Sequence, residues 1–569
     1  MKQISLGTSD FKKIIDDDRY FIDKTLIIKE FLEDRGEIVL LPRPRRFGKT
    51  LNLSILRYFL EKSKEDNSYL FKGLNIEKES SIMKKQGSYP LIYLTFKDEK
   101  HDNFEKFIES MKMQISSIYK EFYHIYNSIE FQDDKDYFDN IINRNSSTQE
   151  LEVSLFRLSN LLNTHYNHKV IILIDEYDTP IHEGYFKKYY SEVIGFMRNF
   201  LSSALKDNKN LEKAMITGIL RVAKESIFSG LNNLEVYSLL GARYSDKFGF
   251  TEKETFDLVK YYNLDKKNEE FKSWYNGYIF GSTTIYNPWS VLSYINKPDR
   301  EFMPYWVNTS ENSIIKSLLA EGNEEIKLGL ETLYNGGAIE TTINEDVVMS
   351  EIAIGSESLW SFLLLSGYLK AVEKYKDEDS NLFVYKLKIP NIEIKILYRD
   401  IIQKWFREGF IDNEFKKMLR ALTEGDIKNF SKIFKRYVMT SFSYFDISGK
   451  DPEKVYHAFV LGMLVSLSGS HEILSNRESG IGRYDVSVIP KDILNVQDLK
   501  KPGIIFEFKR YDKEDEETIE EMLDIALKQI EDKKYDTELK NRGVENIIKL
   551  AMVFNGKEVH IKRGPYVGI

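Results

Sequence analysis

The sequence predicts an α/β protein: a parallel sheet with helices on both faces, a mostly helical middle region, and a second, smaller α/β unit at the carboxyl end. Three observations predict this. Apolar strand-like runs at Ile38 to Leu41, Leu91 to Phe96, Lys169 to Asp175 and Lys213 to Leu220 alternate with helical stretches, as right-handed strand–helix–strand crossovers require. From about Thr251 to Lys395 the periodicity turns mostly helical. After Pro452 come a helix, a glycine-centred hairpin, a buried strand, another helix and two more strands.

Taken in order, residues from about Phe11 to Leu32 read as helix, interrupted by Tyr20-Phe21-Ile22-Asp23-Lys24-Thr25, and lead into the strand Ile38 to Leu41. That strand enters Arg43-Pro44-Arg45-Arg46-Phe47-Gly48-Lys49-Thr50, and a helix to about Lys62 leaves it, with Leu53, Leu56, Phe59 and Leu60 at helical spacing. A strand, a tight loop and a helix N-terminus aim N–H groups and the helix dipole at one point, which suits phosphate. Lys49 would add a charge for the β- and γ-phosphates and Thr50 a hydroxyl for Mg²⁺, with Arg45, Arg46 and Gly48 completing the nucleotide contact. A phosphate loop ordinarily opens with glycine, and here Arg43 and Pro44 stand there instead. Taken alone, Gly48-Lys49-Thr50 fits a basic turn before an ordinary helix equally well.

Lys169-Val170-Ile171-Ile172-Leu173-Ile174-Asp175-Glu176 favours the nucleotide reading. A continuous apolar run suits a parallel strand buried on both faces, and ligands of open α/β sheets sit at the carboxyl ends of strands, where Asp175 and Glu176 fall. Asp175 would hold Mg²⁺ and Glu176 would polarise the water attacking the γ-phosphate. The bland alternative is a solvated acidic turn. Thr217 and Arg221, at the end of the next strand, are weaker candidates for the γ-phosphate and for transition-state charge, against roles as a buried strand-end threonine and a helix cap. The aromatic groups around Trp274 to Phe280 and at Tyr305-Trp306 read as the core of a small domain rather than a base-stacking platform.

The length of 569 residues implies several domains, since one core serves roughly 150. The expected boundaries are 1–240 for the nucleotide-binding domain, 241–400 for the helical region and 401–569 for the last domain. Hydrophobic content of 42% supports folded cores, and a net charge of -8 excludes a bulk polycation while leaving room for a local basic cleft. Zero cysteines exclude disulfides and thiolate chemistry. The amino terminus lacks a signal-peptide core and no run is long enough to cross a bilayer, so a cytoplasmic location without membrane partners is expected.

The carboxyl-terminal third carries a different chemistry. His471 to Val488 reads as strand, turn and returning strand, with Gly480 and Gly482 central and Asp485 on the second arm. In Gly503 to Arg510, period-two alternation puts Glu507 and Lys509 on one face and Phe506 and Phe508 on the other. Asp485 and Glu507, with the Phe508 carbonyl, form a hard-oxygen site for Mg²⁺ or Mn²⁺, beside which Lys509 would orient or deprotonate a nucleophilic water. Gln529 and Glu478 are further candidates for this site. A Glu507–Lys509 ion pair on an edge strand is the competing reading.

With these residues in view, the amino-terminal part, through Tyr20 to Thr25, Arg43 to Thr50, Leu173 to Asp178 and Thr217-Gly218-Ile219, resembles the predicted AAA-ATPase-like family of bacterial proteins. The carboxyl-terminal part resembles the PD-(D/E)xK nuclease superfamily through Glu478-Ser479-Gly480, Gly482-Arg483-Tyr484-Asp485 and Glu507-Phe508-Lys509, with Tyr484 where that motif has proline. The resemblance implies a P-loop ATPase core, a helical or winged-helix lid and a restriction-endonuclease-like domain. The function expected is an ATP-binding, ATP-hydrolysing protein whose Mg²⁺-dependent nuclease cuts nucleic acid, DNA more than RNA. The alternative is a nucleotide-dependent switch or scaffold with an inert, nucleic-acid-gripping nuclease fold. A homo-oligomer is compatible with either.

Overall fold

The computed structural model describes residues 1–221, 233–297, 301–307, 315, 318–319, 324–346, 352, 355–407, 412–441, 452–479, 482–491, 501–511, 517–556 and 558–565. Two compact units form, Met1–Glu311 with Glu340–Ile394, and Asn312–Ile339 with Lys395–Ile569.

The first unit is built on five parallel strands: β1 (Ile38–Pro42), β2 (Leu91–Thr95), β3 (Val170–Asp175), β4 (Leu211–Gly218) and β5 (Leu234–Val236), in the order β2-β3-β4-β1-β5. Every residue of β1 and β3 is buried, as continuous Val/Ile/Leu runs require when helices cover both faces. One strand, β4, intervenes between the strand feeding the phosphate-loop sequence and the acid-bearing strand, and it registers Leu41 on Thr217 and Ile174 on Ile216. The carboxyl ends of β1, β3 and β4 therefore lie side by side.

The middle region is less helical than its sequence predicts. A small antiparallel sheet joins β6 (Phe250–Thr251), β7 (Tyr278–Phe280) and β8 (Thr283–Tyr286), and a second joins β9 (Ile339–Thr342), β10 (Lys370–Lys376) and β11 (Phe383–Lys388). The Trp274 to Phe280 aromatics do form a core: Tyr275 packs with Phe271, Tyr286 and Tyr294. Within the same unit, the buried Glu393 carboxylate accepts from the Ser290 hydroxyl at 2.8 Å and the Trp306 N–H at 2.5 Å.

In the second unit β12 (His471–Ser479), β13 (Gly482–Pro490), β14 (Gly503–Arg510), β15 (Ile547–Asn555) and β16 (Glu558–Arg563) form one mixed sheet in sequence order, only β14 and β15 being parallel. The alternation read from the sequence is present. Phe506 and Phe508 stack at 6.1 Å on one face, while Glu507 and Lys509 are in register with Ala551 and Val553 on β15. Ala551 and Val553 pack under Leu523 and Ala526 of the helix Ile519–Asp532, so the polar pair shares the face this helix covers. Among the described residues no helix is long and apolar enough to cross a membrane.

Burial raises the Glu393 carboxyl to about 7, against bonds from Ser290 and the Trp306 and Val307 amides that favour the charged form. A folded-state value above the unfolded one gives stability that is complete below about pH 4.5 and lost as pH rises through about 7. Glu393→Gln, in which the Ser290 hydroxyl can reverse to accept, is expected to flatten that decline. Urea denaturation of both proteins between pH 5 and 8 checks this, the wild type losing a few kcal/mol relative to the variant at roughly 1.4 kcal/mol per pK unit.

Candidate functional site

The phosphate-loop turn is made at Arg46 and Gly48, with φ of 67° and 86°, and the helix Lys49–Leu60 starts directly after it. Arg43 needs no left-handed angle. Its guanidinium is buried, donates to the carbonyls of Pro42 at 2.8 Å and Tyr237 at 2.6 Å, and lies over the Phe248 and Phe280 rings. Burial lowers its pKa to about 9. The absent glycine is thus replaced by a side-chain anchor, and the strain falls on Arg46, a non-glycine residue in a costly region.

Lys49 is 3% exposed and its ammonium meets three acceptors: the Arg43 carbonyl at 3.1 Å, the Pro44 carbonyl at 3.3 Å and Glu176 Oε1 at 3.2 Å. Thr50 donates to Asp175 Oδ2 at 2.7 Å and Thr217 donates to Asp175 Oδ1 at 2.6 Å. Asp175 is fully buried, and its pKa is raised by that burial and by the charge of Glu176, against the two hydroxyl bonds and Lys49. Glu176, just past β3 in a left-handed conformation (φ 54°), is held below the usual carboxylate range; burial pushes it up, but Lys49 and Arg45 outweigh burial. Arg221 turns to Asp346, 3.0 Å away.

Gly218 closes this cluster. Its carbonyl accepts from Arg43 N–H at 2.9 Å, and a Cβ there would sit 2.7 Å from Asp178 Oδ1 and from the Tyr177 ring. Asp178 Oδ2 accepts from the Ile219 and Leu220 amides at 2.7 and 3.0 Å, and Tyr177 donates to the Leu220 carbonyl at 2.7 Å.

A cavity of about 470 Å³ opens at this point. Arg45, Arg46, Gly48, Lys49, Thr50 and Glu176 are among the residues that line it, and Tyr20, Phe250 and Trp289 are among the apolar residues of its wall. Its size and its contrast of cationic and aromatic surface suit a nucleotide. The aromatic residues were not recognised from the sequence as site residues, because they come from segments far apart in the chain; the family-like motif Tyr20 to Thr25 was the one available signal.

In the second unit, Asp485 lies one residue outside the last ladder pair, Val486 with Phe506, and its Oδ2 accepts from Phe508 N–H at 2.7 Å. The acid of β13 thus reaches across to β14 beside Glu507, which is 2% exposed and 3.3 Å from the Lys509 ammonium. Tyr535, which no motif in the sequence marks, stands close enough for its hydroxyl to feel the charges of Glu507, Asp485 and Lys509, and it accepts from Gln529 at 3.2 Å. Gly482 faces the Tyr535 ring, 3.1 Å from where a Cβ would be. The side chain of Glu478, and Gly480 and Ile481, lie outside the described residues.

Residues 5–228 match the family described as predicted AAA-ATPase, and residues 451–564 match the PD-(D/E)XK nuclease superfamily. The chain joins an AAA-ATPase-like region to a nuclease-superfamily region. A relative from Azotobacter chroococcum mcd 1, named only as an uncharacterized protein in the vnfD 5' region, is 27% identical over 402 residues, 69% of this chain and 68% of its own.

The donor sets are consistent with divalent cations in both regions. Among the described residues no group of three His, Cys, Asp or Glu side chains could hold a metal, so each site offers fewer carboxylates, completed by other oxygens. In the AAA-ATPase-like region these would be Asp175 with the Thr50 hydroxyl; in the nuclease-superfamily region they would be Asp485 and Glu507 with a main-chain carbonyl. All are hard oxygen donors of the kind Mg²⁺ takes.

Gly218→Ala is expected to destabilise the first unit by about 1–3 kcal/mol, since the Asp178 and Tyr177 atoms it would meet belong to buried side chains held by hydrogen bonds. Thermal unfolding of the purified variant measures it.

Proposed function

We propose that the amino-terminal region binds and hydrolyses ATP with Mg²⁺, and that the carboxyl-terminal region is a metal-dependent nuclease acting on DNA in preference to RNA. The observation that carries the nuclease assignment is the bond from Phe508 N–H to Asp485, which brings the β13 acid to the Glu507–Lys509 pair.

At the nucleotide site, Arg45, Arg46, Lys49 and the amides at the start of the helix Lys49–Leu60 would take the phosphates, and Thr50 and Asp175 the Mg²⁺. The phosphates would compete for the Lys49 ammonium with two loop carbonyls and Glu176. Released from that pair, Glu176 loses most of the charge that outweighs its burial, so its carboxylate becomes the stronger base and would accept a proton from the attacking water. In the nuclease-like region Asp485 and Glu507 would hold the cation, which when bound supplies an acidified water and charge neutralisation. Lys509 would orient that water and offset charge on the phosphate under attack.

Lys49→Ala is expected to abolish the rise in melting temperature that Mg-ATP gives the wild type, because a ligand that binds only the native state raises apparent stability. An unchanged shift would refute the phosphate-loop assignment. Lys509→Ala is expected to lower cleavage of labelled DNA by about 10²-fold or more, with Mg²⁺ or Mn²⁺ and with or without ATP. Equal cutting by the variant would remove the nuclease claim, and no cutting by the wild type on any DNA or RNA would leave the nucleotide switch with an inert nuclease-like fold.

A further inference from the structure

The cavity beside the phosphate loop has an aromatic wall that phosphate chemistry does not use. Trp289 lies there, on the helix Pro288–Asn296. Its position is rigid: Asn287 caps the helix, accepting from the Trp289 and Ser290 amides at 2.9 and 3.2 Å, and Pro288 pre-sets the first turn. Gly7, at φ 83°, brings the amino-terminal segment to the indole edge, a Cβ there falling 3.6 Å from the six-membered ring. The Arg46 guanidinium lies over the indole, 4.3 Å from its centroid.

Arg46 therefore belongs both to the loop and to the aromatic wall. Its backbone forms the strained turn of the phosphate loop and its planar cation rests on an aromatic face in the same cavity. A planar, π-bearing group is what an indole face accepts, and Arg46 has a competing use for its charge at the phosphates. Tyr20, on the cavity wall, is held at 4.8 Å from Tyr261, and Lys24, also on the wall, is clamped by both carboxylate oxygens of Glu254, so the surrounding surface is built rather than loose.

We infer that Trp289 is the nucleobase platform of this site: the base of a nucleoside triphosphate stacks on the indole while Arg46 turns from it to the phosphates. This rests on the nucleotide reading given above. Stacking is tolerant of base identity, so the platform separates nucleotides from bare polyphosphate more than it separates one base from another.

The test is calorimetric titration of the full chain with Mg-ATP, Mg-CTP and Mg-tripolyphosphate, for the wild type, Trp289→Ala, Trp289→Phe and Lys49→Ala. Trp289→Ala should weaken ATP and CTP roughly ten- to hundredfold, leave tripolyphosphate unchanged, and be largely rescued in Trp289→Phe. A Trp289→Ala protein that binds ATP as the wild type does, or loses ATP and tripolyphosphate equally, overturns the platform while leaving the phosphate site standing. Wild type binding none of the three overturns both. Should the alanine variant not fold, emission decides: ATP should quench the wild-type tryptophan signal and tripolyphosphate should not, and quenching that persists in Trp289→Phe overturns the inference.

Discussion

The buried carboxylate of Asp175 ties the nucleotide-site end of the sheet together. Thr50, at the start of the helix after β1, and Thr217, near the end of β4, each donate to one of its oxygens. Three segments that meet only in the tertiary fold are thereby joined at one atom group. A buried carboxylate costs several kcal/mol unless its lone pairs are used, and here two hydroxyls use them with Lys49 nearby. The same two hydroxyl bonds that favour the charge set the spacing between loop and acid.

Glu176 and Lys49 extend that logic. Their ion pair satisfies one buried and one partly buried charge, and it also occupies the groups the proposed chemistry needs. Under the proposed function, an incoming triphosphate would offer Lys49 a stronger partner than two carbonyls and a carboxylate, and its Mg²⁺ would offer Asp175 one. The left-handed backbone at Glu176 and at Arg46 places strain on both sides of the same cavity.

Much of this was legible because it is local. A loop between strand and helix, an apolar run ending in Asp175-Glu176, and Glu507 alternating with Lys509 are set by chain order and by the periods of strand and helix. Even the convergence of Asp485 on Glu507 follows from a hairpin arm pairing with the next strand. Strands β6, β7 and β8 of the middle region were missed because they run two to four residues, too short for period-two alternation to show against the flanking helices. Trp289 and Tyr535 were missed for another reason. Nothing in their neighbours marks them; Trp289 is made part of the cavity by Gly7 and Arg46, and Tyr535 is brought to the acids by the close approach that Gly482 permits.

Arg43 shows how a departure from a motif is absorbed. The sequence suggests that a loop opening with arginine and proline is handicapped, since glycine is there to bend. In the structure the bend lies further along, and position 43 serves as an anchor: a guanidinium taken out of water, bonded to two carbonyls and sandwiched near two aromatic rings. Desolvating that cation is expensive, and the lowered pKa of about 9 is the sign of it. Such a cost is tolerable only where the geometry it fixes is needed, and what it fixes is the entry of the chain into the loop, with the Arg43 carbonyl held to accept from Lys49. Glycine would allow the loop many shapes and leave a ligand to select one; an anchored arginine selects the shape beforehand, so less of the binding energy is spent on ordering the loop.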